Sequence, residues 1–485
     1  MHQARPAPTC PRSPTSVSPL TVPPSAGRLT RGRGGARAAA PVRLVHLGLG
    51  SFFRAHQAWY TDRAPDADAW GHTAFGGREG ILADALTSQD CLYTLVTRAA
   101  DGDRFDVVSS LTSAHPADDH QAWLESVADR RVAAITVTVT EAGYLRGVDG
   151  GLNRARDDVL SEITALRRDP TAAVRTVPAR LLAGLAARRR ADSGPIALVP
   201  CDNLPANAAV LARVVHDLAE SVDAALADWI TTSVSTVATV VDRITPRTSA
   251  DDTRAVSAAT GIVDDAPVVT EAFSEWVLSG SFPAGRPAWH DAGATFTEDV
   301  TPFEHRKLWL LNGGHSLLAY AGLLRGHTTV AESVADDTCR GWLHAWWAEA
   351  AASLDLPGAE VARYRSALLE RFANPRMRHQ LAQIAADGSQ KLPVRVLPTL
   401  RAERAAGRVP AGASGILASW VCHLRGPAAA VSDVRAAELV ALAAGRLVDA
   451  VPRVLAVLDP ALADDRDLVA AVRSLVEQSR RPAQS

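Results

Sequence analysis

The stretch Pro41–Arg63, PVRLVHLGLGSFFRAHQAWYTDR, decides the fold. Val42 to Leu47 is a short, largely apolar run with the pattern of a buried strand, and from Ser51 onward the pattern is helical. Gly48-Leu49-Gly50 stands between them. Two glycines at such a corner let the backbone turn tightly and approach a ligand. A pyrophosphate placed there meets the free N–H groups at the helix start. Gly48, Leu49, Gly50, Ser51 and Phe52 are therefore candidate cofactor-binding positions. The third glycine of G-x-G-x-x-G is absent, and Phe53 holds its place. The alternative is a plain strand–turn–helix corner. An acid about 20 residues further on would take the ribose hydroxyls. Glu79, in Gly76-Gly77-Arg78-Glu79, is the candidate, while Arg78 suits a 2′-phosphate, so NAD and NADP both stay open.

Working outward, AAITVTVTEAGY (133–144), PIALVPCDN (195–203) and TTSVSTVATVVDRITP (231–246) each contain a further β-branched or apolar run ending in polar residues. Helical stretches such as DDHQAWLESVADRR separate them. Strands alternating with helices predict an α/β fold with a Rossmann-like, doubly wound, mostly parallel sheet over 41–300. Ligands gather at the carboxyl ends of the strands in such sheets. From Thr301 the strand signals stop, and TPFEHRKLWLLNGGHSLLAYAGLL, AEVARYRSALLERFAN and later segments predict an all-helical C-terminal domain over 301–485. Residues 1–40 are rich in Pro, Ser, Arg and Ala, carry no acid and show no apolar period, which predicts a disordered tail.

Composition narrows the function. The chain is 47% hydrophobic and 21% charged, with a formal net charge of -2. No overall field favours nucleic acid or an anionic membrane. No apolar run is long enough to span a bilayer. Cys10, Cys91, Cys201, Cys339 and Cys422 are scattered without a CxxC pair, and no HExxH spacing occurs. That pattern predicts a reducing, cytoplasmic setting and no metal site. Nothing fixes the oligomeric state, and a monomer is compatible with all of it.

Among 51 Lys+Arg, only Lys307 and Lys391 are lysines. Arginine serves wherever charge alone is needed, but a buried lysine can release its proton near neutral pH and arginine cannot. A rare lysine is thus a candidate base, against the alternative of chance survival at a surface. Thr301-Pro302-Phe303-Glu304 reads as N-cap, proline at the first helical position and capping-box acid. Lys307, Asn312 and His315 then follow at i, i+5 and i+8. At roughly 100° per residue they share one arc of about 140°. That face offers an amine, an amide and an imidazole. The alternative is a buried helix with a snorkelling lysine and a satisfied histidine. Gly313 and Gly314 each cost about 1 kcal/mol against alanine in a helix interior, which implies close packing there. Cys201-Asp202-Asn203 and Asp242-Arg243 follow predicted strands, where ligand groups collect, although turn-forming or capping roles account for them equally. Lys391 follows the turn Asp387-Gly388-Ser389. The YxxxK dyad is excluded, because Phe303 and Asp387 hold the positions four before the two lysines.

Six stretches resemble the polyol-specific long-chain dehydrogenases, a family that includes mannitol 2-dehydrogenase and D-mannonate oxidoreductase. They are VHLGLGSFFRAHQAWYTD, TVTEAGY, CDNLPANA, VDRITP, PFEHRKLWLLNGGHSLLAYAG and NPRMRHQLAQIAADGSQKLP, together spanning roughly 42 to 400 in family order. The resemblance implies metal-independent hydride transfer with NAD(H) on a small sugar acid or polyol. It implies Lys307 as general base, Asn203 and Asn312 as amides holding the reacting oxygen, His315 as a substrate-positioning residue, and Asp242 in a substrate-contact motif. Glu304 matches an acid governing proton passage to the lysine. NGGHSLLAYAGLLRG and DGSQKLP look closer to the mannonate branch. Gln383 stands where mannitol dehydrogenases carry an arginine before DGSSK, and Arg378 and Lys391 are candidate partners for a substrate carboxylate. The expected reaction is therefore D-mannonate/D-fructuronate interconversion. The alternatives are a mannitol or D-arabinitol dehydrogenase, or a non-catalytic nicotinamide-nucleotide-binding protein.

Overall fold

The computed structural model describes residues 27–33, 35–76, 80–426 and 431–479. Six strands build the main sheet: Val42–Leu49 (β1), Gly71–Gly76 (β2), Leu111–His115 (β3), Ala134–Val137 (β4), Ile196–Pro200 (β5) and Val234–Thr236 (β6). Their spatial order is β3-β2-β1-β4-β5-β6, and every pairing is parallel. The order reverses beside β1, which pairs with β2 on one edge and β4 on the other. That is the switch point at which a doubly wound sheet opens a crevice beyond the strand ends. β2, β4 and β5 are buried along their whole length. Helices cover both faces, so these strands read as apolar runs without alternation.

The segment 231–246 holds two strands where the sequence reading found one. β6 closes the main sheet, and Ala238–Asp242 leaves it to pair antiparallel with Glu275–Ser279. A further small sheet joins Val268–Glu271 to Tyr93–Ala99 and Gly102–Val108. The expected tail over 1–40 differs from residue 27 onward. Gly27–Arg28 pairs with Ile262–Val263, and Leu29 is fully buried. The Arg31 guanidinium donates to the carbonyls of Arg37 (2.7 Å), Ser109 (3.3 Å) and Leu111 (3.0 Å). These long-range bonds leave no periodic signature in the sequence. Residues 1–26 lie outside the described residues.

From Thr301 to Ser479 every regular element among the described residues is helical. The core is built around Trp309, Leu310, Leu317, Trp346, Trp347 and Trp420. Its central run starts as an ordinary helix over Thr301–Arg306, widens to a π-helix over Lys307–Gly313, and returns to an α-helix over Gly314–Leu324. The indole N–H groups of Trp346 and Trp347 donate to the carbonyls of Trp309 and Leu310, each at 2.9 Å. Side chains wedged onto backbone carbonyls are a known cause of such departures from the regular ladder. The two glycines explain the approach. A Cβ on Gly313 would sit 2.8 Å from the Trp346 ring, and one on Gly314 would sit 3.0 Å from Leu343. Among the described residues no helix is long and apolar enough to cross a membrane.

Candidate active site

A cleft of about 410 Å³ opens where the strand ends meet the widened helix, lined among others by Asn203, Val241, Glu304, Lys307, Asn312 and Val394. π-turns concentrate at functional sites, and this one carries both Lys307 and Asn312. Because its hydrogen bonds link i to i+5, residues five apart line up more closely than the α-helical angle implies. The widening therefore brings the amine and the amide nearer to one line.

Lys307 Nζ donates to Asn203 Oδ1 and to the carbonyl of Val241, both at 2.5 Å. The acceptors come from the carboxyl ends of β5 and of Ala238–Asp242. With its oxygen engaged by the ammonium, the Asn203 amide has its NH₂ left to donate to a ligand oxygen. Burial lowers the Lys307 pKa below the ordinary lysine value, against an upward pull from Asp242 and Glu275. One residue earlier, buried Arg306 pairs with Glu275 (2.5 Å) and Glu360 (2.7 Å), tying the start of the widened turn to the Glu275–Ser279 strand.

Glu304 does not close a capping box. The helix begins at Thr301 after Val300, and Glu304 Oε1 instead accepts from the backbone N–H of Ala206 at 3.1 Å, across the cleft. Burial raises its pKa above the usual carboxylate value. Asp202 beside it accepts from the Tyr144 hydroxyl, and burial raises its pKa too.

Asp242, expected in a substrate-contact motif, sits in a buried ion cluster. Both its oxygens are held by Arg371, at 2.7 and 3.0 Å, and the same guanidinium takes Glu271 at 2.9 and 2.8 Å. Burial would raise Asp242, but Arg371 overrides it and holds the carboxyl below its ordinary value. Asp242 thus acts on Lys307 through its charge. Arg371 and Glu271 carry no motif that singles them out in the sequence.

His315 lies on the same helical run but faces Phe372 (ring centroids 4.6 Å) and His379 (5.0 Å), outside the cleft lining. Burial, followed by His379, Arg371 and Arg395, pushes its pKa well below the histidine range. The structure does not bring Arg378 or Lys391 to the cleft. Arg378 is exposed in a left-handed turn. Lys391 turns back to the Ile384 carbonyl at 3.3 Å, because its helix, Gly388–Arg395, presents Pro393 and Val394 to the cleft instead. Arg395, absent from the sequence reading, closes that helix and bonds the Asn312 carbonyl (3.4 Å) and Ser316 Oγ (3.1 Å).

The nucleotide corner sits at the switch point. Gly48 has φ +115°, and a Cβ there would lie 2.1 Å from the Thr138 carbonyl oxygen, so only glycine fits. A Cβ on Gly50 would have a single near neighbour, the Gly48 carbonyl oxygen at 3.6 Å, which leaves room above the turn for a ligand. Phe53 replaces the third glycine by stacking on His46 at 3.6 Å inside the core. Gly48, Leu49, Gly50, Ser51 and Phe52 would hold a dinucleotide pyrophosphate. Glu79 and Arg78 lie outside the described residues.

Two family models divide the chain: the mannitol dehydrogenase Rossmann domain matches 42–291 and the mannitol dehydrogenase C-terminal domain matches 299–479. D-arabinitol 4-dehydrogenase of Ralstonia nicotianae is 36% identical over 80% of this chain and 84% of its own. D-mannonate oxidoreductase of Escherichia coli is 35% identical over 74% and 75%. The solved ternary complex of Pseudomonas fluorescens mannitol 2-dehydrogenase with NAD and D-mannitol superimposes with a TM-score of 0.76 at 31% identity, covering 91% of this chain and 92% of that one. The chain belongs to the mannitol dehydrogenase family and is an oxidoreductase acting on CH–OH groups.

Proposed function

We propose that the protein interconverts D-mannonate and D-fructuronate with NAD. The observation that carries the reading is Lys307, its amine held between Asn203 and the Val241 carbonyl at the cleft and its pKa depressed by burial. NAD, held by its pyrophosphate at Gly48–Phe52, would supply the hydride acceptor. In oxidation, neutral Lys307 takes the carbinol proton. Asn203 and Asn312 donate their amide N–H groups to the oxygen as charge develops on it, each contributing on the order of 3 kcal/mol. Asp242 and Glu275 stabilise the ammonium that forms. In reduction, Lys307 returns the proton. Glu304, bridging to Ala206 at the cleft wall, is placed to pass protons between Lys307 and solvent. A neutral-polyol reading, mannitol or D-arabinitol, draws support from the relatives active on those compounds and from the positions of Arg378 and Lys391 away from the cleft.

The test is turnover of D-mannonate, D-fructuronate, D-mannitol, D-fructose and D-arabinitol with NAD(H) and NADP(H), for the wild type and two variants. Lys307→Ala loses roughly 10²- to 10⁴-fold in turnover while NADH affinity stays near the wild-type value. Lys307→Arg is nearly as impaired, since arginine keeps its proton. An active Arg variant would mean that charge alone is required.

A further inference from the structure

Beside the cleft, three groups converge that the proton-transfer chemistry does not use. His315, 93% buried by its 7% exposure, has an Nε2 without a hydrogen-bond partner. His379 packs edge-on against it at 5.0 Å, with its own buried Nδ1 unpartnered. Arg395 lies close enough to lower the His315 pKa, and its Nη1 is anchored on the Asn312 carbonyl and Ser316 Oγ. The two arginines near His315 differ in one respect. Arg371 is neutralised by Asp242 and Glu271. Arg395 forms no ion pair with a carboxylate among the described residues, although it is largely withdrawn from water. Its positive neighbour Lys391 adds to the same sign of field, offset in part by Asp387 and Asp433. An arginine kept in such a place without a counter-ion is a poor structural choice, because its desolvation is uncompensated. A ligand anion supplies the compensation, and a planar guanidinium matches a carboxylate.

We infer that Arg395, with the imidazoles of His315 and His379, forms the subsite that holds the carboxylate of a sugar-acid substrate, so that these residues select acids over neutral polyols. The inference rests on the proposed dehydrogenase reading and names what sets its substrate class. Arg395 closes the helix whose Pro393 and Val394 line the cleft, and it donates to the backbone carbonyl of Asn312, a residue of the cleft lining. Arg395 and the two imidazoles stand next to the cleft and not in its lining, so the carboxylate would reach them past Asn312.

The experiment compares kcat/KM for D-fructuronate and D-fructose with NADH in the wild type, Arg395→Gln and Arg395→Lys. It also measures binding of D-mannonate and D-mannitol by calorimetry to NADH-loaded Lys307→Ala, with and without Arg395→Gln. The acid-to-neutral ratio should fall roughly 10- to 100-fold in Arg395→Gln, with partial recovery in Arg395→Lys, and the binding preference should fall in parallel. A purely structural role would depress both substrate classes alike, and that result overturns the inference. So does a wild type that prefers neutral sugars in turnover and binding, which would leave the dehydrogenase reading intact. Arg395-dependent binding of D-mannonate to a protein that turns over no substrate would uphold the subsite and refute the proposed function.

Discussion

Arg371→Met would remove one guanidinium that serves two buried carboxylates. Arg371, Asp242 and Glu271 are each about 95% withdrawn from solvent, and four charge-assisted bonds of 2.7 to 3.0 Å join them. Such a group adds little net stability over an apolar packing, because desolvation consumes most of the Coulombic gain. Removing one partner is a different matter. It leaves Asp242 and Glu271 without their shared counter-ion, and Asp242 already pushes the Glu271 pKa up. The expected cost is about 3–5 kcal/mol, which for a cooperative unit of 150–250 residues is a fall of roughly 6–20 °C in Tm. The sign of its pH dependence follows from the same contacts. In the variant, burial and mutual repulsion raise the folded-state pKa values of both acids above their unfolded values. Protons then favour the folded form, so the variant is least impaired at low pH and loses stability as pH rises through the raised values. The assay is thermal denaturation of the wild type, Arg371→Met and Arg371→Met/Glu271→Gln between about pH 5.5 and 8. The double variant should recover part of the loss, because it removes one orphaned charge. A penalty under about 1 kcal/mol, or one that is equal across that range and unrelieved in the double variant, would refute the electrostatic account.

Three further expectations concern the site. Because burial depresses the Lys307 pKa, the acid limb of kcat/KM for oxidation should fall below the ordinary lysine range, activity rising with pH as the amine loses its proton; reduction should show the opposite dependence, and a limb at or above pH ~10.4 would contradict the assignment. Gly48→Ala forces a Cβ onto the Thr138 carbonyl in a backbone conformation with φ +115°, so NADH affinity measured by fluorescence titration should drop by roughly 5- to 150-fold, corresponding to the roughly 1–3 kcal/mol of such strain. Gly313→Ala pushes into the Trp346 ring at 2.8 Å and should cost about 1–3 kcal/mol of stability, read by denaturation together with a change in tryptophan emission; an unchanged melt would mean that the packing gives way freely.

The sequence made the outline of the fold legible because β4, β5 and the centre of β1 are buried and the glycine corner at the end of β1 permits one geometry. It also led to Lys307, Asn203, Asn312 and Glu304, which the structure gathers at one cleft. Other features depended on tertiary contacts with no local trace. Residues 231–246 divide between two sheets because the chain passes from β6 into antiparallel pairing with Glu275–Ser279, a segment far along the sequence. Glu304 looks like a capping acid, yet its carboxylate accepts from the Ala206 N–H, a partner 98 residues away in sequence. Scarcity of lysine drew notice to Lys391 as well as Lys307, but helix orientation sends Lys391 to a backbone carbonyl and leaves Arg395, one among dozens of arginines, beside the histidines. Asp242 was legible as a polar strand end, while its engagement with Arg371 required the helix Gly358–Ala373 to be docked.

The π-turn at 307–313 makes the spacing of Lys307 and Asn312 a matter of chain length. A ring closed between i and i+5 accommodates one residue more than the α-helical ring. Deleting a single residue between Lys307 and Asn312 would let the segment shut as an ordinary helix, with good hydrogen bonds throughout. Asn312 would then stand four residues after Lys307, about 40° away on an α-helix, so the amine and the amide would still share a face while the wide turn between them would be gone. The surplus residue therefore sets the width of the turn, and the room for the Trp346 and Trp347 indoles on its carbonyls, more than it sets which side chains share a face.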